Sequence, residues 1–152
     1  MIVPTNKTKI VTADQMRLIE KKSEQSGVST HTLMENAGLE IAKHIKNNSK
    51  SIATLSVTIL VGTGNNGGDG LVAAKHLRGW GVQTTVYLCG DRNVETPNLS
   101  DLEISGVQIV KVSEDIGMNR LRELLNSATL VVDGILGTGH SRPIQGSIKH
   151  VL

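Results

Sequence analysis

The chain predicts an α/β fold, a parallel sheet with helices on both faces. Two observations carry that prediction. Apolar β-branched runs alternate with helical stretches in the order strand, helix, strand, helix, strand, helix, strand, and two of the strands open directly into glycine-rich loops. With 152 residues there is room for one domain, taken as residues 1–152.

The elements follow in order. Thr12 with Gln15 three positions on makes a capping box, Met16, Leu18 and Ile19 supply an apolar face, and Gly27 stops this first helix. A second cap falls at Ser29 or Thr30, and Leu33, Met34, Ala37, Ile41, Ala42 and Ile45 recur at helical spacing through to Asn47. LSVTILVG, 55–62, reads as a strand buried on both faces. The segment GTGNNGGDG reads as a loop, and LVAAKHLRGWG as a helix closed by Gly79 or Gly81. TTVYLCG is the second strand, Thr96 and Pro97 open a further helix, and VQIVKV, 107–112, is the third strand. MNRLRELLN is a helix with Leu121, Leu124 and Leu125 inward, TLVVDG is the fourth strand, and SIKHVL begins another helix after Gly146. Such a sheet binds ligands at the carboxyl ends of its strands, so the loops at Gly62 and Gly134 are expected to be neighbours.

Composition narrows the function. Hydrophobic residues make up 38% of the chain and charged residues 20%, the balance of an ordinary folded protein. The only aromatic residues are Trp80 and Tyr87, so no row of stacking platforms exists for single-stranded nucleic acid. The net charge of +2 comes from dispersed residues, and no nucleic-acid partner is indicated. Cys89 is the single cysteine, which excludes a disulfide within the chain. No apolar run approaches the ~20 residues of a membrane span and no signal segment opens the chain; no membrane partner is expected, and the location is read as cytoplasmic.

Gly62, Gly64 and Gly67 satisfy G-x-G-x-x-G between a strand and a helix, the setting in which backbone N–H groups and the helix dipole receive phosphate. Asp69, placed in the first helical turn, would oppose a pyrophosphate there and suits sugar hydroxyls, a cation or a proton better. Asn65 and Asn66 offer amide groups to a ligand, with turn geometry as the alternative reading of Asn66. Asp133 stands at the end of what reads as a buried strand, either facing the ligand crevice or bracing the turn. Beyond it, Gly137 and Gly139 form a second glycine pair, Arg142 is suited to phosphate and Pro143 stiffens its position. His140 is a proton carrier or an ordinary loop histidine. No histidine pair has a metal-ligand spacing, which argues against zinc, whereas Asn and Asp oxygens suit a hard cation.

Three segments, MRLIEKKSEQSGVSTHTLMENAG, VGTGNNGGDGLVAAKHL and VDGILGTGHSRPIQG, together resemble the NAD(P)H-hydrate epimerase family, the YjeF N-terminal domain. The resemblance runs from about Met16 to Gly146. It implies a three-layer α/β/α Rossmann-like fold and epimerisation at C6 of the nicotinamide hydrate, interconverting R and S NADHX or NADPHX so that a dehydratase can restore the reduced cofactor. It implies that Asn65, Asn66, Gly67, Gly68 and Asp69 contact the substrate, that Gly137, Thr138, Gly139, His140, Ser141, Arg142 and Pro143 form a second binding stretch, and that Asn66 and Asp133 hold one potassium ion per subunit. The catalytic group stays open between Asp69 and Asp133. The family also carries a strand ending in an Asp, Pro, Ser, Gly cluster that does not occur here, from which we expect a sheet truncated at its C-terminal side and a longer whole protein, with a dehydratase domain fused downstream in some members. The N-terminal helices are the expected surface of a homodimer. A Rossmann NAD-dependent oxidoreductase, with Asp91 as the ribose acid, and a non-catalytic nucleotide-binding module are the competing readings.

Overall fold

The computed structural model describes residues 10–90, 97–139, 141 and 143–152. The chain divides into two units, the residues up to Leu33 and those from Met34 onward.

In the first unit, α1 (Ala13–Gln25) begins with the predicted capping box. Thr12 Oγ1 accepts from the Gln15 amide at 3.2 Å, and Gln15 Oε1 accepts from the Thr12 amide at 2.8 Å. Gly27 ends the turn after the helix with φ +87°, a conformation that costs glycine little. The apolar residues of α1 are more exposed than its pattern suggested, since none is buried and Leu18 is 53% exposed. Ser29 caps α2 (Thr30–Asn48), its hydroxyl accepting from the Thr32 amide at 3.1 Å, which settles the choice between Ser29 and Thr30.

The second unit holds a four-stranded parallel sheet in the order β3-β2-β1-β4, with β1 at Ser56–Val61, β2 at Gln83–Leu88, β3 at Gln108–Lys111 and β4 at Leu130–Gly134. Side-chain alternation sorts the core into two layers. Val57, Ile59 and Val61 of β1 and Val86 and Leu88 of β2 face α2, α3 (Asn65–Gly79) and α4 (Pro97–Ile104). Leu60, Tyr87 and Cys89 face the opposite side, where α5 (Asn119–Ser127) contributes Leu121 and Leu124, and α6 (Gly146–Val151) packs with Ile148 and Val151. The unit is therefore a three-layer α/β/α sandwich, as expected.

Four readings need correction. The segment taken as a loop from 62 to 70 is helical from Asn65 onward, so α3 starts well before Leu71. Glycine disfavours helix by roughly 1 kcal/mol per residue, but here small residues are what packing demands. A Cβ on Gly38 of α2 would overlap the Val72 side chain and lie 2.7 Å from the Asp69 carbonyl, so the two helices meet backbone to backbone. Asp69 consequently sits in the second turn of α3, beyond the Asn65–Gly68 turn, and the conflict with the dipole is weaker than expected. Leu125 is 38% exposed while Leu121 and Leu124 are buried, because the short α5 has only a narrow inward stripe. β4 lies at the sheet edge, with Val131 and Asp133 exposed. Thr96 and Asp91 fall outside the described residues, although α4 does begin at Pro97.

Candidate functional site

The chain runs outward from β1 through β2 to β3 and then returns to lay β4 on the other side of β1. Strand order reverses between β1 and β4, and in open α/β sheets that reversal opens a crevice at the carboxyl ends. Both glycine loops start there. The Gly62 amide donates to the Gly134 carbonyl at 3.1 Å, so the loops are neighbours as the pattern required.

Gly62 has a structural reason beyond phosphate access. A Cβ at this position would overlap the carbonyl oxygen of Ile135, so the two loops cross in direct backbone contact. Gly64 is the N-cap of α3 in an extended conformation, with no side-chain cap on the helix, and a Cβ there would meet open space. The entrance to α3 therefore presents its first-turn amides beside exposed Gly64 and Asn65, the arrangement that receives an anion.

Asn66 joins the two loops. It belongs to the first turn of a helix rather than to a strand end, and its Nδ2 donates to the Leu136 carbonyl at 3.0 Å. Its backbone oxygen lies 3.3 Å from where a Gly134 Cβ would stand, and its own Cβ lies 3.3 Å from the corresponding point on Gly137. Half-buried between the loops, Asn66 has one of its two amide N–H groups committed to protein, which leaves Oδ1 and the second N–H for a ligand. That outcome exceeds the turn-geometry reading, since the side chain ties one loop to the other.

Asp133 is exposed, and its Oδ1 accepts from the Ile135 amide at 2.9 Å. The bracing role thus holds for one oxygen, and the residue also lines a groove between β4 and α2. Its charge reaches Cys89 at the end of β2. Burial pushes the Cys89 thiol up to about 11, the Val61 backbone opposes that shift and the Asp133 charge adds to it.

Asp69 is half-buried in α3, one turn beyond Asn65. Gly67 and Gly68 are buried where α3 meets the sheet, while Gly137, Thr138, Gly139, Ser141 and Pro143 are exposed along the second loop. His140 and Arg142 lie outside the described residues. Sequence reasoning missed Gly38, whose small size reads as nothing special in a helical stripe, and the carbonyls of Ile135 and Leu136, because backbone groups leave no mark in sequence. Among the described residues no three His, Cys, Asp or Glu side chains cluster as metal ligands.

The family described as YjeF-related protein N-terminus matches residues 30–152. The chain is 37% identical over 140 residues to the NAD(P)H-hydrate epimerase of Nitrosopumilus maritimus (strain SCM1), covering 89% of this chain and 62% of that protein. It is 33% identical over 149 residues to the bifunctional NAD(P)H-hydrate repair enzyme Nnr of Thermofilum pendens (strain DSM 2475 / Hrk 5), covering 95% of this chain and 28% of that protein. Its fold superposes on the crystal structure of yeast ynu0 with a TM-score of 0.79 and 29% identity, covering 95% of this chain and 63% of that one. The chain spans less than two thirds of the length of these relatives. The crossed glycine loops of the second unit and the match over residues 30–152 together make this chain a member of the YjeF-related N-terminal family.

Proposed function

We propose that the protein to which this chain belongs is an isomerase of metabolite repair, epimerising R and S NADHX or NADPHX at C6 of the nicotinamide hydrate. The observation that carries this reading is Asn66 bridging the two glycine loops at the reversal of strand order. An ordinary dinucleotide turn needs no such bridge. The relatives named above as NAD(P)H-hydrate epimerases and repair enzymes support the reading.

In this reading the entrance of α3, Asn65 to Asp69, takes the anionic part of the substrate through backbone N–H groups, and the stretch from Gly137 to Pro143 closes on it from β4. Asn66 Oδ1 and the Asp133 carboxylate are hard oxygen donors near one strand reversal, a donor set that suits one potassium ion per subunit. Such an ion would supply positive charge facing the substrate. Asp69 and Asp133 are the carboxylates available to move a proton at the hydrate. Asp133 is held by Ile135, so its orientation is set before substrate arrives.

The outer edge of β4 has no strand partner among the described residues, and a mostly apolar groove of about 550 Å³ lies between it and α2, lined by Ala37, Ile41, Ile45 and Val131 together with Glu40, His44 and Asp133. A further parallel strand of a longer protein fits that edge, in keeping with the greater length of the relatives. No helix of the described residues is long and apolar enough to cross a membrane. A cytoplasmic location, a homodimer through the N-terminal helices and a dehydratase domain downstream, as the bifunctional relatives' names indicate, belong to the same proposal.

The test follows R-NADHX converting to the S epimer by chromatography, with and without potassium, in the whole protein. Acceleration above the spontaneous rate is expected, with Asn66→Ala reducing it by about a hundredfold and weakening the potassium response. No acceleration by the wild type sinks the epimerase reading and favours a nucleotide-binding module. Hydride transfer with an added alcohol would instead favour an oxidoreductase.

A further inference from the structure

The second glycine loop leaves β4 at Gly134 and ends where α6 begins at Gly146. Its start is held by Asn66, which donates to the Leu136 carbonyl at 3.0 Å. Its return is held by a residue with no part in the motifs. The Ser147 hydroxyl donates to the Cys89 carbonyl at 2.8 Å, across fifty-eight positions of sequence.

The acceptor is well fixed. The Cys89 amide donates to the Val61 carbonyl at 2.9 Å, extending the β1–β2 ladder by one bond, and the Cys89 side chain is fully buried. Beside it, the point where a Gly90 Cβ would stand is 3.1 Å from Thr63 Cγ2 of the glycine-rich turn and 4.0 Å from Ile148 Cδ1 of α6. The end of β2, the first glycine turn and the start of α6 therefore meet at one place.

The sheet order adds the consequence. The loop starts at β4 and returns at β2, so β1 and its glycine turn lie between the two anchors. Two strand spacings are about 10 Å, whereas residues 137–146 extended would reach roughly 30 Å. A loop with that much slack is placed by its anchors and not by its length.

We propose that Ser147 is a positioning residue of the site, latching the C-terminal end of the second glycine loop onto the end of β2 beside the glycine turn of β1. The inference deepens the epimerase reading and rests on it for the substrate, but the latch is measurable without substrate. Ser147 touches no reacting group. It acts through the loop.

The test uses the whole protein with Ser147→Ala and Ser147→Thr. Alanine is the better helix former, so α6 itself is not put at risk. Loss of one hydroxyl-to-carbonyl bond is expected to speed amide exchange over 137–146 about fivefold, with the amides of β1 and β2 unchanged. KM for R-NADHX is expected to rise about fivefold with kcat within twofold, and Ser147→Thr is expected to restore both readouts. Unchanged exchange in Ser147→Ala overturns the latch, and faster exchange with an unchanged KM overturns its role in positioning. A wild type with no epimerisation defeats the epimerase reading alone, and the latch is then decided by the exchange result.

Discussion

Asp115 shows how much one buried carboxylate organises. It accepts from the Arg120 amide at 3.0 Å, the Leu121 amide at 2.9 Å and the Tyr87 hydroxyl at 3.1 Å, so it caps α5 and satisfies the one tyrosine of the core. Burial alone would raise its pKa, but the amides of Arg120 and Leu121, the Tyr87 hydroxyl and the charge of Arg122 together hold it below the usual carboxylate range. A carboxyl lowered by folding contributes stability that is present above its unfolded pKa and lost as pH falls through the folded one. Asp115→Asn is therefore expected to lower Tm at pH 7 and to flatten the acid side of the Tm profile below about pH 4; an unchanged acid side defeats this account. Alkali acts in the other direction. Tyr87 is raised by burial first and then by Asp115, and Cys89 is raised from 9.0 to about 11 by burial. Their contribution is complete below the ordinary pKa and is lost as pH rises through the folded one. Cys89→Ala is expected to remove part of the Tm loss between pH 9 and 11, worth roughly 2 kcal/mol at the upper end, and a thiol reagent at pH 8 is expected to react with Cys89 only as fast as the protein opens.

At the scale of elements, the ends of helices and the crossings between them decide what forms. The capping box of α1 satisfies two amides in a helix that buries none of its residues. Thr12→Ala is expected to cost about 1 kcal/mol of local helix stability, read as faster amide exchange over Ala13–Gln25, with no change in β1 exchange. Gly62→Ala tests the crossing of the two loops. The added methyl falls on the Ile135 carbonyl, and a backbone atom cannot swing away, so a loss of at least 2–3 kcal/mol is expected, measured by urea denaturation. A near-neutral result there would mean that the loops part more easily than the 3.1 Å bond between Gly62 and Gly134 suggests. Capping signals were legible because they act over three residues. The start of α3 at Asn65 was not, because glycine propensity argues against helix, and the closeness of α3 to the sheet, where a Gly70 Cβ would stand 3.2 Å from Ile59 Cγ2, is a tertiary contact.

For the molecule as a whole, β4 matters most. Its exposed edge, with Val131 40% exposed beside a mostly apolar groove, offers unpaired backbone groups to another strand. The 152-residue chain by itself is expected to associate with rising concentration through this edge, and Val131→Lys is expected to keep it monomeric, as read by sedimentation. Equal association of both forms would move the contact elsewhere, with the exposed Met16, Leu18 and Ile19 of α1 the next surface to test.

Periodicity and punctuation in the sequence determined that this chain makes an α/β sandwich, roughly where each strand and helix lies, and that two glycine loops share one end of the sheet. Those properties are local or follow from the general behaviour of alternating strands and helices. Only the tertiary structure decided that Asn66 binds the Leu136 carbonyl, that Gly62 is small because Ile135 crosses it, that Asp133 braces its own turn, and that Ser147 meets Cys89. Each turns on a backbone group, a carbonyl or an amide, and such groups are the same at every position of the sequence. Which of them comes within reach is settled by strand order and helix packing, except at Asp133, whose partner lies only two residues on.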